Sequence, residues 1–246
     1  MSAPLCNNRV PALALLAGGF ATRLGSLAAR VPKSLLEVAG EPFIGHQLRR
    51  LASQGVRDVV ICCGHFGEQI ESFVGKGSQF GCRVRYSRDG TTPLGTGGAI
   101  RKALPLLGSC FGVMYGDSFL MTPFKPVLDA FSHCAKPALI TVFANANRWD
   151  KSNVLFEDGI VLRYDKWRAE PGMRHIDYGL SFFSAAVFQQ RAEGEVFDLA
   201  DLQRQLVEEG NMAAYEVGER FYEIGSLAGL EETRAFFSDF VHGVPA

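Results

Sequence analysis

Neither sign of charge is in excess: 25 Lys and Arg stand against 26 Asp and Glu in 246 residues, a net charge of -1. Polyanions gain no general attraction from such a chain, which excludes a nucleic-acid-coating role. No apolar stretch reaches bilayer-spanning length, so a membrane span is excluded. With 47% hydrophobic and 21% charged residues, extended disorder is excluded too. No Pro/Ser-rich linker, charge block or internal repeat divides the chain, which reads as one domain over 1–246. Among the six cysteines, Cys6, Cys62, Cys63, Cys82, Cys110 and Cys134, there is no C-x-x-C pair and no His at zinc-ligand spacing. Cys62 and Cys63 end the run Val59-Val60-Ile61, and Cys82 and Cys110 open other apolar runs. Reduced, buried thiols in a cytoplasmic protein are the reading. Covalent hydrolase chemistry lacks a Gly-x-Ser-x-Gly elbow or a catalytic Cys signature. His46, His65, His133, His175 and His242 lack partner spacing for catalysis or metal binding.

What is present is a rhythm. Apolar runs at 11–17, 58–63, 83–87, 110–115 and 138–144 do not alternate, as expected of strands buried on both faces. The first follows Arg9 and resembles the apolar core of a secretion signal, but it stops at Gly18-Gly19 and a basic loop, which favours a strand. Between the runs, Ile44, Leu48 and Leu51 share one helix face, Ile70 and Phe73–Val74 a second, and Ala99, Ala103 and Leu106 a third. Repeated βαβ units with right-handed crossovers follow. After residue 150 the rhythm changes: apolar runs flank Asp158-Gly159, a hairpin signal, and 176–183 reads as another strand. This half is expected to be α+β and to lie over one edge of the sheet, with a surface helix over 230–240. Ligands of open parallel sheets bind in the loops at the carboxyl ends of the strands.

Those loops carry the chemistry-bearing residues. Gly18-Gly19 permits a sharp turn and bare N–H groups, and Arg23 and Lys33 supply positive charge, so the loop is either a turn or a phosphate site. It is not a P-loop, because Val31-Pro32 precedes Lys33-Ser34. The segment Pro93-Leu94-Gly95-Thr96-Gly97-Gly98-Ala99-Ile100 places glycines at a helix start, where N–H groups meet ligands or helices pack closely. Asp117, in Tyr115-Gly116-Asp117-Ser118, could serve as a helix cap, a loop acid or a metal ligand. Glu223 sits between apolar residues in a predicted strand, where an unpaired charge is costly. Mg²⁺ between Asp117 and Glu223 accounts for both. Asp165, Lys166 and Asp177 lie near the hairpin, and Trp149 and Trp167 serve either ligand stacking or packing.

Together these segments resemble the sugar-1-phosphate nucleotidyltransferases, in family order, from Leu16 to about Phe237. Gly19-Phe20-Ala21-Thr22-Arg23-Leu24 with Pro32-Lys33 matches the Gly-x-Gly-Thr-Arg-Leu loop and its Pro-Lys, with Ala21 in place of a glycine. The resemblance implies a triphosphate site at Ala17, Gly18, Gly19 and Thr22, with Arg23 and Lys33 acting on the phosphates. It assigns base contact to Gly95, Thr96 and Gly98, with Arg88 or Asp89 open as discriminators. It assigns the metal to Asp117 and Glu223, the latter one methylene longer than the family's Asp. It assigns acceptor phosphate binding to Lys166 and sugar contact to Asp165, Asp177 and Gly179, where the family has Glu-Lys and Asn-x-Gly. Arg23, Lys33, Asp117 and Lys166 are then the catalytic set and Mg²⁺ the cofactor.

The implied fold is α/β, a Rossmann-like three-layer α/β/α nucleotidyltransferase (glycosyltransferase-A-like) arrangement, a single domain without a left-handed β-helix. Roughly 10–145 forms the nucleotide half and 146–246 the sugar-phosphate half. The implied partners are an NTP and a sugar 1-phosphate, without nucleic acid or membrane, and a homodimer is compatible. The reaction is NMP transfer with pyrophosphate release. Pro93-Leu94-Gly95-Thr96-Gly97-Gly98 resembles the mannose- and manno-heptose-phosphate guanylyltransferase branch, which makes GTP with one of those sugars the first expectation. Uridylyl transfer to an amino-sugar 1-phosphate is the alternative, followed by cytidylyl transfer to a phosphate such as phosphocholine. A glycosyltransferase would usually show Asp-x-Asp where the chain has Gly116-Asp117-Ser118, and a non-catalytic nucleotide sensor would have no need of Arg23, Lys33, Asp117 and Lys166.

Overall fold

The apolar run at 11–17 condenses into strand β1 (Leu13–Leu16), whose side chains alternate between two separate cores. Leu13 and Leu15 face one and Ala14 and Leu16 the other, the period of two that makes a strand the central layer of a sandwich. The computed structural model describes residues 10–19, 31–64 and 66–241. After β1 come β2 (Glu37–Val38), β3 (Glu41–Pro42), α1 (Phe43–Ser53), β4 (Asp58–Cys63), α2 (Gly67–Val74), β5 (Arg83–Arg88) and α3 (Gly95–Leu107). Next are β6 (Cys110–Tyr115), β7 (Ser118–Leu120), α4 (Phe124–His133), β8 (Ala138–Ala144), β9 (Val154–Glu157), β10 (Ile160–Tyr164) and β11 (His175–Ser184). The chain ends in α5 (Ala186–Gln189), α6 (Leu199–Glu208), β12 (Met212–Val217), β13 (Phe221–Glu223) and α7 (Leu227–Val241).

Nine strands form the main sheet, with the order β10-β9-β11-β6-β1-β4-β5 and with β8 joining β11 to β12. Helices α1, α2 and α4 bury Ile44, Leu48, Ile70 and Phe131 on one face. Helices α3, α5 and α6 bury Ala103, Phe188 and Leu202 on the other, giving the three layers expected. Each buried Leu or Ile contributes roughly 1.5–3 kcal/mol. The run at 83–87 extends one residue to Arg88. The hairpin signal is realised: Asp158 and Gly159 both have positive φ, 49° and 81°, and β9 pairs antiparallel with β10.

One expectation needs correction. The second half does not lie over the sheet edge but extends the sheet itself: β11 pairs antiparallel with β6 and, along its length, with β8. A ten-residue strand lined by Ile176, Tyr178, Leu180 and Phe182 has too much apolar surface to sit anywhere but inside the sheet. Cys62, Cys63 and Cys82 are free and buried, and Cys134 is free and partly buried. Among the described residues, no helix is long and apolar enough to cross a membrane.

The topology places the site. From β1 the chain steps outward through parallel β4 and β5, and α3 then carries it back to parallel β6 on the other side of β1. Such a reversal opens a crevice at the strand ends. Leu16 lies level with Tyr115 and with Cys62, so the loops after β1, β4 and β6 leave the sheet together. A third, small core of Leu36, Val38, Phe43, Phe119, Ile224, Leu230 and Phe237 supports the β7–β13 ribbon beside that crevice.

Candidate active site

A cavity of about 260 Å³ opens at the reversal, lined by Ala17, Gly18, Gly19, Lys33, Gly95, Thr96, Asp117 and Lys166 among others. Residues as far apart in the chain as Leu16 and Lys166 thus line one cavity. Gly18 is in close contact: a Cβ there would stand 3.1 Å from the Gly64 N. Gly116 is tighter, since its Cβ would stand 2.7 Å from the Leu16 carbonyl that its own N–H bonds at 2.9 Å. Bare backbone therefore brings Asp117 close to the end of β1. Arg23 and Thr22, expected on the triphosphate, lie outside the described residues.

Lys33, on the short 3₁₀ turn Lys33–Leu35, donates to Asp117 Oδ2 at 3.0 Å. Ser118 Oγ donates to the other carboxylate oxygen at 3.3 Å, and the Asp117 carbonyl accepts from Ile224 N at 2.9 Å. Pairing of Glu223 with Ser118 brings the second acid alongside. The Glu223 carboxylate accepts from Ser226 Oγ at 2.7 Å and from Gly225 N. Its longer side chain fits because any Cβ at Gly229 would fall on Glu223 Oε1. A Cβ at Gly225 would stand 3.5 Å from Asp117 Oδ2, so the two carboxylates flank Gly225. Burial raises the Glu223 carboxyl above its usual range, and the Asp117 charge adds to this, against the Ser226 and Gly225 hydrogen bonds and Lys33. Two neighbouring carboxylates, with phosphate oxygens completing the shell, fit Mg²⁺. Among the described residues no group of three or more His, Cys, Asp or Glu could hold a metal by itself.

The glycine cluster divides. Gly95, at φ +74°, and Thr96 line the cavity. Gly97 and Gly98 instead donate their N–H groups to the Phe197 carbonyl at 3.0 and 3.2 Å. A Cβ on Gly98 would strike the Glu195 carbonyl, so packing alone accounts for a glycine where base contact is expected. Thr96 Oγ1 accepts from Leu199 N at 2.8 Å and thereby caps α6. Asp89 lines the cavity, whereas Arg88 is drawn to Glu68 and Glu71.

On the opposite wall stands Lys166, 3.8 Å from Asp198 and with its ammonium 5.8 Å from the Tyr115 ring centre. Asp165, expected on the sugar, has its Oδ1 engaged by Trp167 N at 2.8 Å and Arg168 N at 2.9 Å, which closes the turn after β10. Although burial opposes its charge, those two N–H groups together with Arg204 and Arg168 hold its carboxyl below the usual range. Asp177 accepts from Gly179 N at 3.0 Å and from Tyr164 OH at 3.4 Å. Burial pushes its carboxyl up to about 6, against the pull of the Gly179 bond, Lys166, Tyr164 and Gln203. Gly179, at φ +97°, sits where the β11–β8 register shifts, and glycine alone relaxes there. Asp198 was missed in the sequence, although an Asp immediately before Leu199, Leu202 and Leu206 is an N-cap signal; its side chain accepts from Ala200 N. Trp149 is enclosed by Phe143, Arg148 and Arg220, while Trp167 is 65% exposed.

Known proteins share this frame. The model of the family described as nucleotidyl transferase matches residues 13–238. The chain is 43% identical over 227 residues to an N-acetylmuramate alpha-1-phosphate uridylyltransferase of Neisseria meningitidis, covering 90% of this chain and 96% of the relative. It is 30% identical over 203 residues to a mannose-1-phosphate guanyltransferase of Kluyveromyces lactis, covering 79% of this chain and 53% of that one. Among solved structures, HddC from Yersinia pseudotuberculosis complexed with GMP-PN superposes with a TM-score of 0.77 at 23% identity, over 93% of this chain and all of that one. An inositol-1-phosphate CTP transferase from T. maritima superposes at 0.76 with 19% identity, over the full length of both chains.

Proposed function

Because the chain belongs to the nucleotidyl transferase family, we propose that it transfers UMP from UTP to an N-acetylated amino-sugar 1-phosphate, N-acetylmuramate 1-phosphate first among them. What carries the choice of substrate is the 43% identity to the uridylyltransferase across 96% of that relative. It moves the uridylyl alternative ahead of the guanylyl expectation drawn from Pro93–Gly98, since the guanyltransferase relative is 30% identical and matches over about half its length.

The chemistry follows from charge placement. An oxygen of the acceptor phosphate attacks the α-phosphorus of UTP, and the bond from that phosphorus to the β-phosphate oxygen breaks, releasing pyrophosphate. The acceptor is already ionised at neutral pH, so no general base is required. The protein's work is positioning and charge neutralisation. Lys33 stands at the donor end of the cavity and Lys166 at the acceptor wall, both lining it with Asp117. Asp117 and Glu223 would hold Mg²⁺, which supplies charge neutralisation at the α-phosphate when bound. Lys166 grips the acceptor phosphate, Lys33 screens the α-phosphate, and Arg23 takes the role of drawing off pyrophosphate.

Pyrophosphate release tests this, with UTP, GTP, CTP and ATP each paired with N-acetylmuramate, N-acetylglucosamine and mannose 1-phosphates. The expected outcome is the highest kcat/KM for UTP with N-acetylmuramate 1-phosphate. A preference for GTP with mannose 1-phosphate would overturn the substrate reading, and silence with every pair would overturn the reaction.

A further inference from the structure

The two tryptophans of the chain have opposite settings. Trp149 has a guanidinium near its ring from each of two arginines, at 4.6 Å from Arg148 and 4.5 Å from Arg220, and packs on Phe143. It is partly buried and lies away from the cavity that holds Lys166. Trp167 leaves 65% of its surface in solvent, so its ring has apolar area that a ligand can cover. Its position is also fixed, because the Asp165 carboxylate holds both the Trp167 and the Arg168 N–H groups and so locks the turn that presents the ring. The Lys166 ammonium lies 5.4 Å from the Trp167 ring centre and 5.8 Å from that of Tyr115. Lys166 and Tyr115 line the cavity, so the cation stands between an aromatic in the cavity wall and one outside it. A phosphate bound by Lys166 brings whatever it is esterified to within contact reach of the indole.

We propose that Trp167 is a specificity-determining residue for the acceptor: its indole packs on the apolar face of the acceptor pyranose and on its N-acyl group while Lys166 holds the phosphate. The inference rests on the acceptor placement proposed above. It predicts a loss confined to sugar binding, because stacking is made equally in ground and transition states and therefore appears in KM and not in kcat.

In Trp167→Ala the acceptor KM is expected to rise about tenfold, in keeping with loss of one aromatic stacking contact. The value of kcat and the KM for the NTP stay within about twofold, and Trp167→Phe recovers most of the loss. Inorganic phosphate, a competitor that reports on Lys166 without a sugar, keeps its inhibition constant. The exposure of Trp167 makes its replacement safe for folding. An unchanged acceptor KM in Trp167→Ala overturns the proposal, as does a parallel loss of phosphate affinity, which would make Trp167 merely a support for Lys166.

These outcomes are separable from those of the substrate reading. Should GTP with mannose 1-phosphate prove the preferred pair, the substrate reading falls while Trp167 is judged on that acceptor by the same comparison. Should no pair turn over, Trp167 emission in a Trp149→Phe protein is titrated with each sugar 1-phosphate. A shift with a sugar phosphate but not with inorganic phosphate supports the proposal, and no shift with any of them overturns it.

Discussion

The two walls of the cleft are built by different means. On the wall proposed for the donor, loops leave parallel strands in fixed register, and Gly18 and Gly116 allow main chain to meet main chain, so that Asp117 and Lys33 face each other directly. On the acceptor side, the polar groups sit on a turn, a bulge and a helix start, and each acid is engaged by backbone within three residues of it. Asp165 holds Trp167 and Arg168, Asp177 holds Gly179, and Asp198 holds Ala200. The difference teaches that the same residue type performs two kinds of work. Asp117 is brought to the Lys33 ammonium by the strand register, whereas Glu223, Asp165, Asp177 and Asp198 each hold a backbone N–H two or three residues further on.

The sharpest way to break this contrast is to remove an acid from the donor side. Asp117→Ala is expected to lower kcat on the order of 10³-fold, about 4 kcal/mol in the barrier, and to weaken Mg²⁺-dependent NTP binding. Stopped turnover assays with calorimetric titration of the NTP would check both; a variant with unchanged turnover would erase the distinction between the walls. The next effect in size lies opposite. Lys166→Met is expected to raise the acceptor KM by about 30- to 100-fold, the ~2–3 kcal/mol of a hydrogen bond to a charged group, and to leave NTP binding as it was. Titrating NTP into both variants separates the walls, since only the first should lose it.

How far the sequence discloses the two walls follows from the same contrast. Strands β1, β4, β6 and β8 are legible within about two residues because both of their faces are apolar, and a run such as Val59-Val60-Ile61 has nowhere else to go. The order of β11 is not legible: its apolar residues suit any interior position, and the pairing with both β6 and β8 is set by crossovers far away in the chain. Lys33 and Asp117 are legible as a pair because they follow strand ends that a parallel sheet gathers on one side. Asp165 and Gly98 mark where the sequence stops: an acid or glycine beside a site looks alike whether it meets a ligand or fits a neighbouring backbone. The structure shows the backbone partner of each, the Trp167 and Arg168 N–H groups for Asp165 and the Glu195 carbonyl packed against Gly98.

Asp177 gives the smallest effect and the finest test of whether acceptor-wall acids are structural. Its carboxyl is raised from 3.8 to about 6 by burial, so the folded state holds the proton more tightly than the unfolded chain does. The sign follows from linkage: stability linked to this group is fully present below pH 3.8 and is lost as pH rises through about 6. The full shift corresponds to about 3 kcal/mol, and the partial access of the residue to water reduces this to about 2 kcal/mol. Asp177→Asn keeps an acceptor oxygen for the Gly179 N–H and removes the charge. At pH 8 the variant should therefore melt about 4–8 °C above the parent, a gap that narrows through pH 6 and closes near pH 4. Differential scanning calorimetry of both proteins across that range isolates the term, because every other titrating group is common to the pair. A variant less stable than the parent at pH 8 would mean that the Asp177 charge is held by Lys166 more strongly than burial opposes it, and the acceptor wall would then be organised around an ion pair like the one between Lys33 and Asp117.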